Sequence, residues 1–362
     1  MSRYVIACGG SGGHLSPGIA IAEELSSRGE ECFLLVSEKS IDNVMLKKYG
    51  KYECVALRVR PLLKGVQNFF KCVKSQLGAF FKCIWLIRSK KVDCVIGMGG
   101  FTSVPIVMAA FFTGKKIVLH ESNRVIGRSV RLLARFSNVI FLPDEVEFED
   151  DSLRKKTLHT SMPLRREMHR ISKKKARENL NLGSDCSLVT IFGGSQGAEA
   201  LNSWALANLQ QLNDNNIAVC CVRGPKCGGE EIVTGRSVDG RTITNLFLSF
   251  CDNMQSLLSA TDLLVCRAGA GTIAEATNFS LPMILIPYPN SACAHQEANA
   301  AYAEKGGVAI TVRQNSLKVL TKIILECFSK NLKNFRLKSM PIYGKPAVET
   351  VVDYAQRLVK NV

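Results

Sequence analysis

Gly9, Gly10, Gly12 and Gly13 surround Ser11 and lead straight into His14 in the stretch "VIACGGSGGHLSPGIAIAEEL", Val5–Leu25. A glycine loop between an apolar strand and a helix lets backbone N–H groups approach a ligand closely. It also aims the partial positive charge of a helix N-terminus at that ligand, and phosphate is the usual occupant. The pattern recurs in "VTIFGGSQGAEALNSWALANL", Val189–Leu209, with Gly194, Ser195, Gln196 and Gly197 in the turn, and a third loop, "GMGGFTS", carries Gly99 and Gly100. Two specific readings fail. A Walker A loop needs a lysine that neither repeat supplies. The dinucleotide fingerprint needs a third glycine where Leu15 stands. Neither ATP nor NAD is the natural reading of these loops.

A second set of polar groups follows in the C-terminal half. "CRAGAGTIAEA", Cys266–Ala276, is a further strand, glycine turn and helix, with Glu275 one turn in; "LIPYPNSACAHQEANA", Leu285–Ala300, leads into a helix near His295, Gln296 and Asn299. A carboxylate such as Glu275 can accept bonds from both hydroxyls of a ribose. Amides such as Gln296 and Asn299 both donate and accept, which suits sugar hydroxyls. The structural alternatives are a carboxylate stabilised by the helix dipole and amides that cap a helix or face water.

The elements that position these groups alternate short apolar strands with helical stretches. The expected strands are Tyr4–Ala7, Glu31–Val36, Val92–Ile96, Lys116–Leu119 and Asn138–Phe141, then Ser187–Phe192, Ile217–Val222, Thr244–Leu248, Asp262–Cys266, Met283–Ile286 and Val308–Thr311. Such alternation predicts an α/β protein with two doubly wound parallel sheets. The expected domains are 1–162 and 163–344, facing across a cleft, with Leu153–Arg166 as the linker. A last helix, within about 345–362, is a candidate to pack back on the first domain.

The chain has 362 residues and a formal net charge of +16, which favours anionic partners. Zinc-finger spacing, RNA-recognition aromatics and long basic tails are all missing from the sequence, so nucleic acid is not the expected partner. The 14 cysteines are scattered, mostly in apolar runs, without C-x-x-C; buried thiols of a reducing compartment are expected. No signal peptide is expected, because glycines interrupt the early apolar run. No apolar run reaches the ~20 residues of a membrane span. Pro61–Lys91 instead predicts a basic amphipathic helix. Leu62, Val66, Phe69, Phe70, Val73, Leu77, Phe80, Phe81 and Ile84 form one stripe, with Lys64, Lys71, Lys82, Arg88, Lys90 and Lys91 off it or at its end. Both core packing and contact with an anionic membrane fit that stripe.

These motifs together resemble a bacterial family of N-acetylglucosaminyltransferases. The family acts on the undecaprenyl-pyrophosphoryl-N-acetylmuramyl-pentapeptide precursor of peptidoglycan. The resemblance spans essentially the whole chain. It rests on "GGSGGHLSPG", "GMGGFTSVP", "HESN", "MPLR", "FGGSQGAEALN", "FCDNM", "CRAGAGTIAE" and "HQEANA", in that order. It implies a GT-B fold, two Rossmann-like domains with the donor, UDP-N-acetylglucosamine, held mainly by the second. By resemblance, Gly194 to Gly197 with Ser195 and Gln196 lie at the diphosphate and Arg165 is its cationic partner. Phe250 and Cys251 flank the uracil, and Glu275 holds the ribose. Gln296, with His295 and Asn299, contacts the sugar. Gly10, Ser11, Gly12, Gly13, Gly99, Gly100 and Asn123 receive the acceptor, the lipid-linked muramyl pentapeptide known as lipid I.

The implied reaction is an inverting transfer to the C4 hydroxyl of the muramyl sugar, giving lipid II. It needs a base and stabilisation of the departing diphosphate. His14 is the implied base, since histidine titrates near neutral pH, and Glu121 is its rival; for His14 the alternative is a ring that packs the loop. No D-x-D occurs, so neither a metal nor another cofactor is expected. The implied setting is peripheral, on the cytoplasmic face of the plasma membrane. The chain departs from the family pattern at Ser122, where Gln is usual, at Ser161-Met162, where Gly-Asn is usual, and at Ser129, often Asn. These positions fall on the acceptor side or near the linker. The other readings are another glycolipid-forming transferase, a UDP-sugar epimerase, a nucleotide-dependent oxidoreductase and a silent scaffold.

Overall fold

The computed structural model describes residues 1–9, 12–38, 48–50, 52–60, 65–183, 186–332, 335 and 346–360. The chain divides into two units, Met1–Arg166 together with the C-terminal helix, and Glu167–Pro341.

The first unit carries β1 (Arg3–Ala7), β2 (Glu31–Ser37), β3 (Glu53–Leu57), β4 (Cys94–Gly97), β5 (Lys116–His120), β6 (Val139–Leu142) and β7 (Thr157–His159). They form one parallel sheet in the order β3-β2-β1-β4-β5-β6-β7. The central strands are apolar on both faces because helices cover both. Val5 and Ala7 face α2 (Val66–Ser89) and α3 (Ser103–Phe112). Tyr4, Ile6 and Cys8 face α1 (Gly12–Ser27) and the C-terminal helix Ala347–Lys360. That last helix buries Val351, Val352 and Ala355. It is pinned by Arg28, which donates to Asp353 at 2.6 Å and to Gln356 at 3.0 Å. The described residues of the unit also form two shorter helices, α4 (Arg128–Leu133) and α5 (Asp151–Arg154).

The second unit repeats the plan with β8 (Ser187–Phe192), β9 (Ile217–Val222), β10 (Glu231–Arg236), β11 (Thr242–Leu248), β12 (Leu263–Cys266), β13 (Met283–Leu285) and β14 (Ala309–Thr311). The order is β10-β11-β9-β8-β12-β13-β14, parallel except for the antiparallel β10–β11 pair. Its helices are α6 (Lys173–Asn179), α7 (Glu199–Ala207), α8 (Leu209–Asp214), α9 (Met254–Ala260), α10 (Ala270–Asn278), α11 (His295–Lys305) and α12 (Leu320–Ser329).

Strand order reverses between β1 and β4 in one sheet and between β8 and β12 in the other. The crevice beyond the carboxyl ends of the strands at such a reversal is where open α/β sheets bind ligands. Three strands, β3, β7 and β10, were not among those expected, and each is the outermost strand of its sheet. The stretch Leu153–Arg166, expected as a linker, instead supplies β7 to the first sheet, because Thr157–His159 pairs with Ile140–Leu142. All 14 cysteines are free thiols, most of them buried.

Candidate active site

In the first unit the loops after β1 and β4 meet at the switch point. Gly10 and Ser11 lie outside the described residues; Gly12 and Gly13 open α1. The fully buried Thr102 hydroxyl donates to the Gly9 carbonyl at 2.7 Å, tying the two loops together. Ser103 donates to the Gly99 carbonyl at 2.6 Å and to the Ala7 carbonyl at 3.2 Å. Gly99 and Gly100 have φ of +86° and +74°, a region open to glycine and disfavoured for other residues. The half-buried His14, in the first turn of α1, lies against them: a Cβ at Gly100 would stand 3.1 Å from Nδ1 and Cε1, and one at Gly99 would stand 3.5 Å from Nε2. Two glycines thus make the seat for this ring.

The "HESN" motif follows β5 on the neighbouring strand. His120 is buried, which pushes its pKa down to about 4; a bond with the Ser161 main chain opposes the shift and the charge of the nearby His14 adds to it. Ser122 Oγ lies 3.4 Å from its Nδ1. Glu121 is also buried, with both oxygens engaged. Oε1 accepts from the Ser122 and Asn123 amides, each at 3.0 Å, and from Asn123 Nδ2 at 2.9 Å; Oε2 accepts from the Gly127 amide at 2.9 Å, at the start of α4. Glu121 and Asn123 therefore shape the 121–127 turn. A carboxylate holding four donors is the organiser of its loop.

Arg165 also belongs to the first unit. It is buried, and Nη1 donates to the Tyr49 hydroxyl at 3.0 Å. Its neighbour Arg166 is held through its amide by Glu23 at 2.8 Å.

In the second unit the loop after β8 carries Gly194 (φ +81°), Ser195, Gln196 and Gly197 (φ +74°), and the Gly197 amide donates back to the Gly194 carbonyl at 2.9 Å. A Cβ at Gly197 would lie 2.0 Å from the Arg223 carbonyl oxygen. The loops after β8 and β9 thus cross with no room for a side chain. Asn202 in α7 fastens the crossing by donating to that same carbonyl at 2.9 Å. Phe250 is half-buried and Cys251 buried, just past β11; Asn253 caps α9 by accepting from the Ser256 amide at 3.0 Å. Glu275 is buried on α10.

The loop after β13 enters α11. Gln296 Oε1 accepts from the Tyr288 amide at 2.8 Å, so its NH2 group is the end left for a ligand. His295 Nδ1 lies 2.6 Å from the Ala292 carbonyl. Asn299, expected at a sugar, is buried and donates to the Ala268 carbonyl at 3.0 Å, tying α11 to the loop after β12. Arg267 in that loop was not singled out from the sequence, although it lies inside the "CRAGAGTIAE" motif. It is buried, and Nη1 donates to the Ile286 carbonyl at 3.2 Å. A cation placed directly after a wholly apolar strand was the available signal.

The basic amphipathic stretch forms α2. Its core side is Cys72, Ala79, Cys83, Leu86 and Ile87. Most of the described part of the sequence stripe faces outward: Phe69, Phe70, Leu77 and Phe81 are exposed by 51–66%, as is Trp85 at 66%, with Phe112 of α3 beside them at 67%. Phe80 and Ile84 are partly buried against the core. Leu62 and Lys64 lie outside the described residues. Among the described residues no helix is long and apolar enough to cross a membrane.

Comparison with known proteins agrees with this architecture. Residues 4–142 match the glycosyltransferase family 28 N-terminal domain and residues 188–358 its C-terminal domain. A protein of Opitutus terrae named UDP-N-acetylglucosamine--N-acetylmuramyl-(pentapeptide) pyrophosphoryl-undecaprenol N-acetylglucosamine transferase is 37% identical, over 93% of this chain and 89% of its own length. The protein of that name from Prochlorococcus marinus is 32% identical over 99% of this chain and 98% of its own length. The crystal structure of Acinetobacter baumannii MurG superposes with a TM-score of 0.69 at 22% identity, covering 98% of this chain and 99% of that one. The fold class is GT-B, and the chain belongs to glycosyltransferase family 28.

Proposed function

We propose that this protein moves N-acetylglucosamine from UDP-N-acetylglucosamine to the C4 hydroxyl of the muramyl sugar of a lipid-linked pentapeptide pyrophosphate, forming lipid II. The observation that carries the reading is the seat of His14, on two left-handed glycines at the switch point of the first unit. The glycine loops of that unit take the acceptor pyrophosphate on backbone N–H groups and the α1 N-terminus. His14 removes the C4 hydroxyl proton as the oxygen attacks C1 of the donor sugar. The new O4–C1 bond forms on the face opposite the departing phosphate, so the linkage is β. The C1–phosphate oxygen bond breaks and its electron pair leaves with UDP.

The amides of Gly194–Gly197, in the second unit, meet the leaving diphosphate, and Arg165, a residue of the first unit, is its expected counter-charge. Phe250 and Cys251 flank the uracil, Glu275 accepts from the ribose hydroxyls, and the Gln296 NH2 donates to the sugar. His295 and Asn299 shape that end of the site. Glu121 organises the acceptor-side turn, leaving His14 as the base.

A lipid-bound acceptor requires a membrane surface. The outward aromatic face of α2, flanked by exposed Lys71, Lys74 and Lys82, docks on an anionic leaflet. The protein works peripherally on the cytoplasmic face of the plasma membrane.

Transfer of labelled N-acetylglucosamine to a short-chain lipid I analogue tests the assignment. We expect turnover by the wild type, and for His14→Ala a loss of at least about 100-fold with UDP binding retained. Equal turnover by both proteins removes His14 from the mechanism. UDP-sugar binding without transfer by the wild type points to another acceptor.

A further inference from the structure

Arg267 stands at the carboxyl end of β12 with its guanidinium buried. Its partners among the described residues are uncharged. Nη1 donates to the carbonyls of Ile286 (3.2 Å) and Pro287 (3.4 Å), Nη2 donates to Gln314 Oε1 (2.5 Å), and Cζ lies 5.4 Å from the Tyr288 ring centroid. A cation without a carboxylate is a costly thing to bury. Its role is found in what it grips.

The Pro287 carbonyl and the Tyr288 N–H belong to one peptide group, which is planar and rigid. Arg267 holds the oxygen of that plane, and Gln296 Oε1 accepts from its N–H at 2.8 Å. One peptide unit therefore links the guanidinium to the side-chain amide. A charge on the carbonyl also polarises the N–H and strengthens its bond to Gln296. Between these anchors the chain is strained, since Cys293 and Ala294 both take left-handed backbone at φ +52° and +53°. Non-glycine residues hold such angles only where the surroundings impose them.

We propose that Arg267 is a positioning residue for recognition of the transferred sugar: through the Pro287–Tyr288 peptide it fixes which end of the Gln296 amide faces the ligand. The site then presents the two N–H donors of the Gln296 amide at a fixed position, and a sugar oxygen placed by the other configuration does not meet them. The inference rests on the reading above that Gln296 faces the sugar.

The test uses Arg267→Met, Arg267→Lys, Gln314→Ala and Gln296→Ala in the full-length protein. KM and kcat are measured for UDP-N-acetylglucosamine and for its C4 epimer, UDP-N-acetylgalactosamine, alongside inhibition by UDP, which lacks the sugar. For Arg267→Met we expect KM for UDP-N-acetylglucosamine to rise about tenfold, preference over the epimer to fall about tenfold, and the UDP inhibition constant to stay within about twofold. Arg267→Lys keeps the charge and the fold but not the preference, because an ammonium does not span two carbonyls and an amide in one plane. Should Arg267→Met fail to fold, Arg267→Lys and Gln314→Ala read the same ratio.

An unchanged epimer ratio in folded Arg267 variants, with the ratio collapsed in Gln296→Ala, overturns this proposal alone. An unchanged ratio in Gln296→Ala overturns the placement of Gln296 at the sugar and the proposal with it. A UDP inhibition constant that rises in step with KM makes Arg267 a diphosphate or structural residue instead.

Discussion

His14 and Gly100 are in contact: a Cβ added at Gly100 would stand 3.1 Å from both Nδ1 and Cε1 of the His14 ring. The φ of +74° at Gly100 would by itself make alanine unfavourable by roughly 1–2 kcal/mol. Gly100→Ala should therefore shift the proposed base as well as strain the turn. We expect kcat to fall at least about tenfold, since small misplacements of a catalytic group have large effects, while UDP binding is unchanged. Wild-type kcat in Gly100→Ala would separate the histidine from the chemistry.

Replacing Glu121 and replacing His14 should differ in a denaturation experiment. Removing a buried carboxylate that holds four donors leaves them unsatisfied, which costs on the order of 3 kcal/mol. Glu121→Ala should lower the urea midpoint of the first unit clearly, and His14→Ala should leave it within about 0.5 kcal/mol. A stable but inactive Glu121→Ala would restore Glu121 as the rival base.

The buried His120 makes stability depend on pH. Its folded pKa, about 4, lies below the ordinary value near 6.5, so the unfolded chain binds the proton more readily. Stability is fully present above pH ~6.5 and is lost as pH falls toward 4, by up to roughly 3 kcal/mol. A thermal melt series from pH 7.5 to about 4.5 should show this slope, and His120→Gln should flatten it. A slope that persists in His120→Gln assigns the effect elsewhere.

The outward face of α2 predicts a separation between binding and chemistry. Replacing Phe70, Phe81 and Trp85 by serine removes exposed rings, each worth about 1–2 kcal/mol when buried in an interface. Sedimentation with vesicles containing anionic lipid should lose at least about tenfold in partitioning. Turnover with a soluble acceptor analogue should be retained. Unchanged partitioning would move the docking surface off this helix.

Gly197→Ala should disable the second unit selectively. Its Cβ would fall 2.0 Å from the Arg223 oxygen, so the loop after β8 must move. Titration calorimetry should show UDP binding weakened at least about tenfold, with the first unit still folded by hydrogen exchange. Retained affinity would show that the loop crossing is not needed for the diphosphate.

The glycine loops could be read from the sequence because their geometry admits little else: Gly99, Gly100, Gly194 and Gly197 all have positive φ. The central strands could be read because both of their faces are apolar. The edge strands β3, β7 and β10 could not: β7 has only three residues, β10 has Ile232-Val233 as its sole apolar pair, and the short, largely exposed Cys54–Leu57 run of β3 has no period that tells strand from helix. The stripe on α2 was visible, yet periodicity cannot say which way a face points. The helix in fact turns Cys72, Ala79, Cys83, Leu86 and Ile87 inward and most of its aromatics outward. Asn299 and Glu121 were singled out as site residues, but not for the partners they have: Asn299 reaches a carbonyl 31 residues away, and Glu121 accepts from the amides of its own turn. Arg267 depends on carbonyls some twenty residues away, a relationship that no local pattern records.

The C-terminal helix packs in the first unit although the chain reaches it only after passing through the second. On a ribosome adding ~5–20 residues per second, the stretch Glu167–Pro341 takes on the order of 10–40 s to emerge. Throughout that interval one face of the first sheet, around Tyr4, Ile6 and Phe141, lacks the part of its cover that α1 does not supply. The nascent chain thus carries a sticky, unfinished domain while its second domain is still being made. A stop codon only a few turns early would leave that domain permanently open to chaperones and proteases.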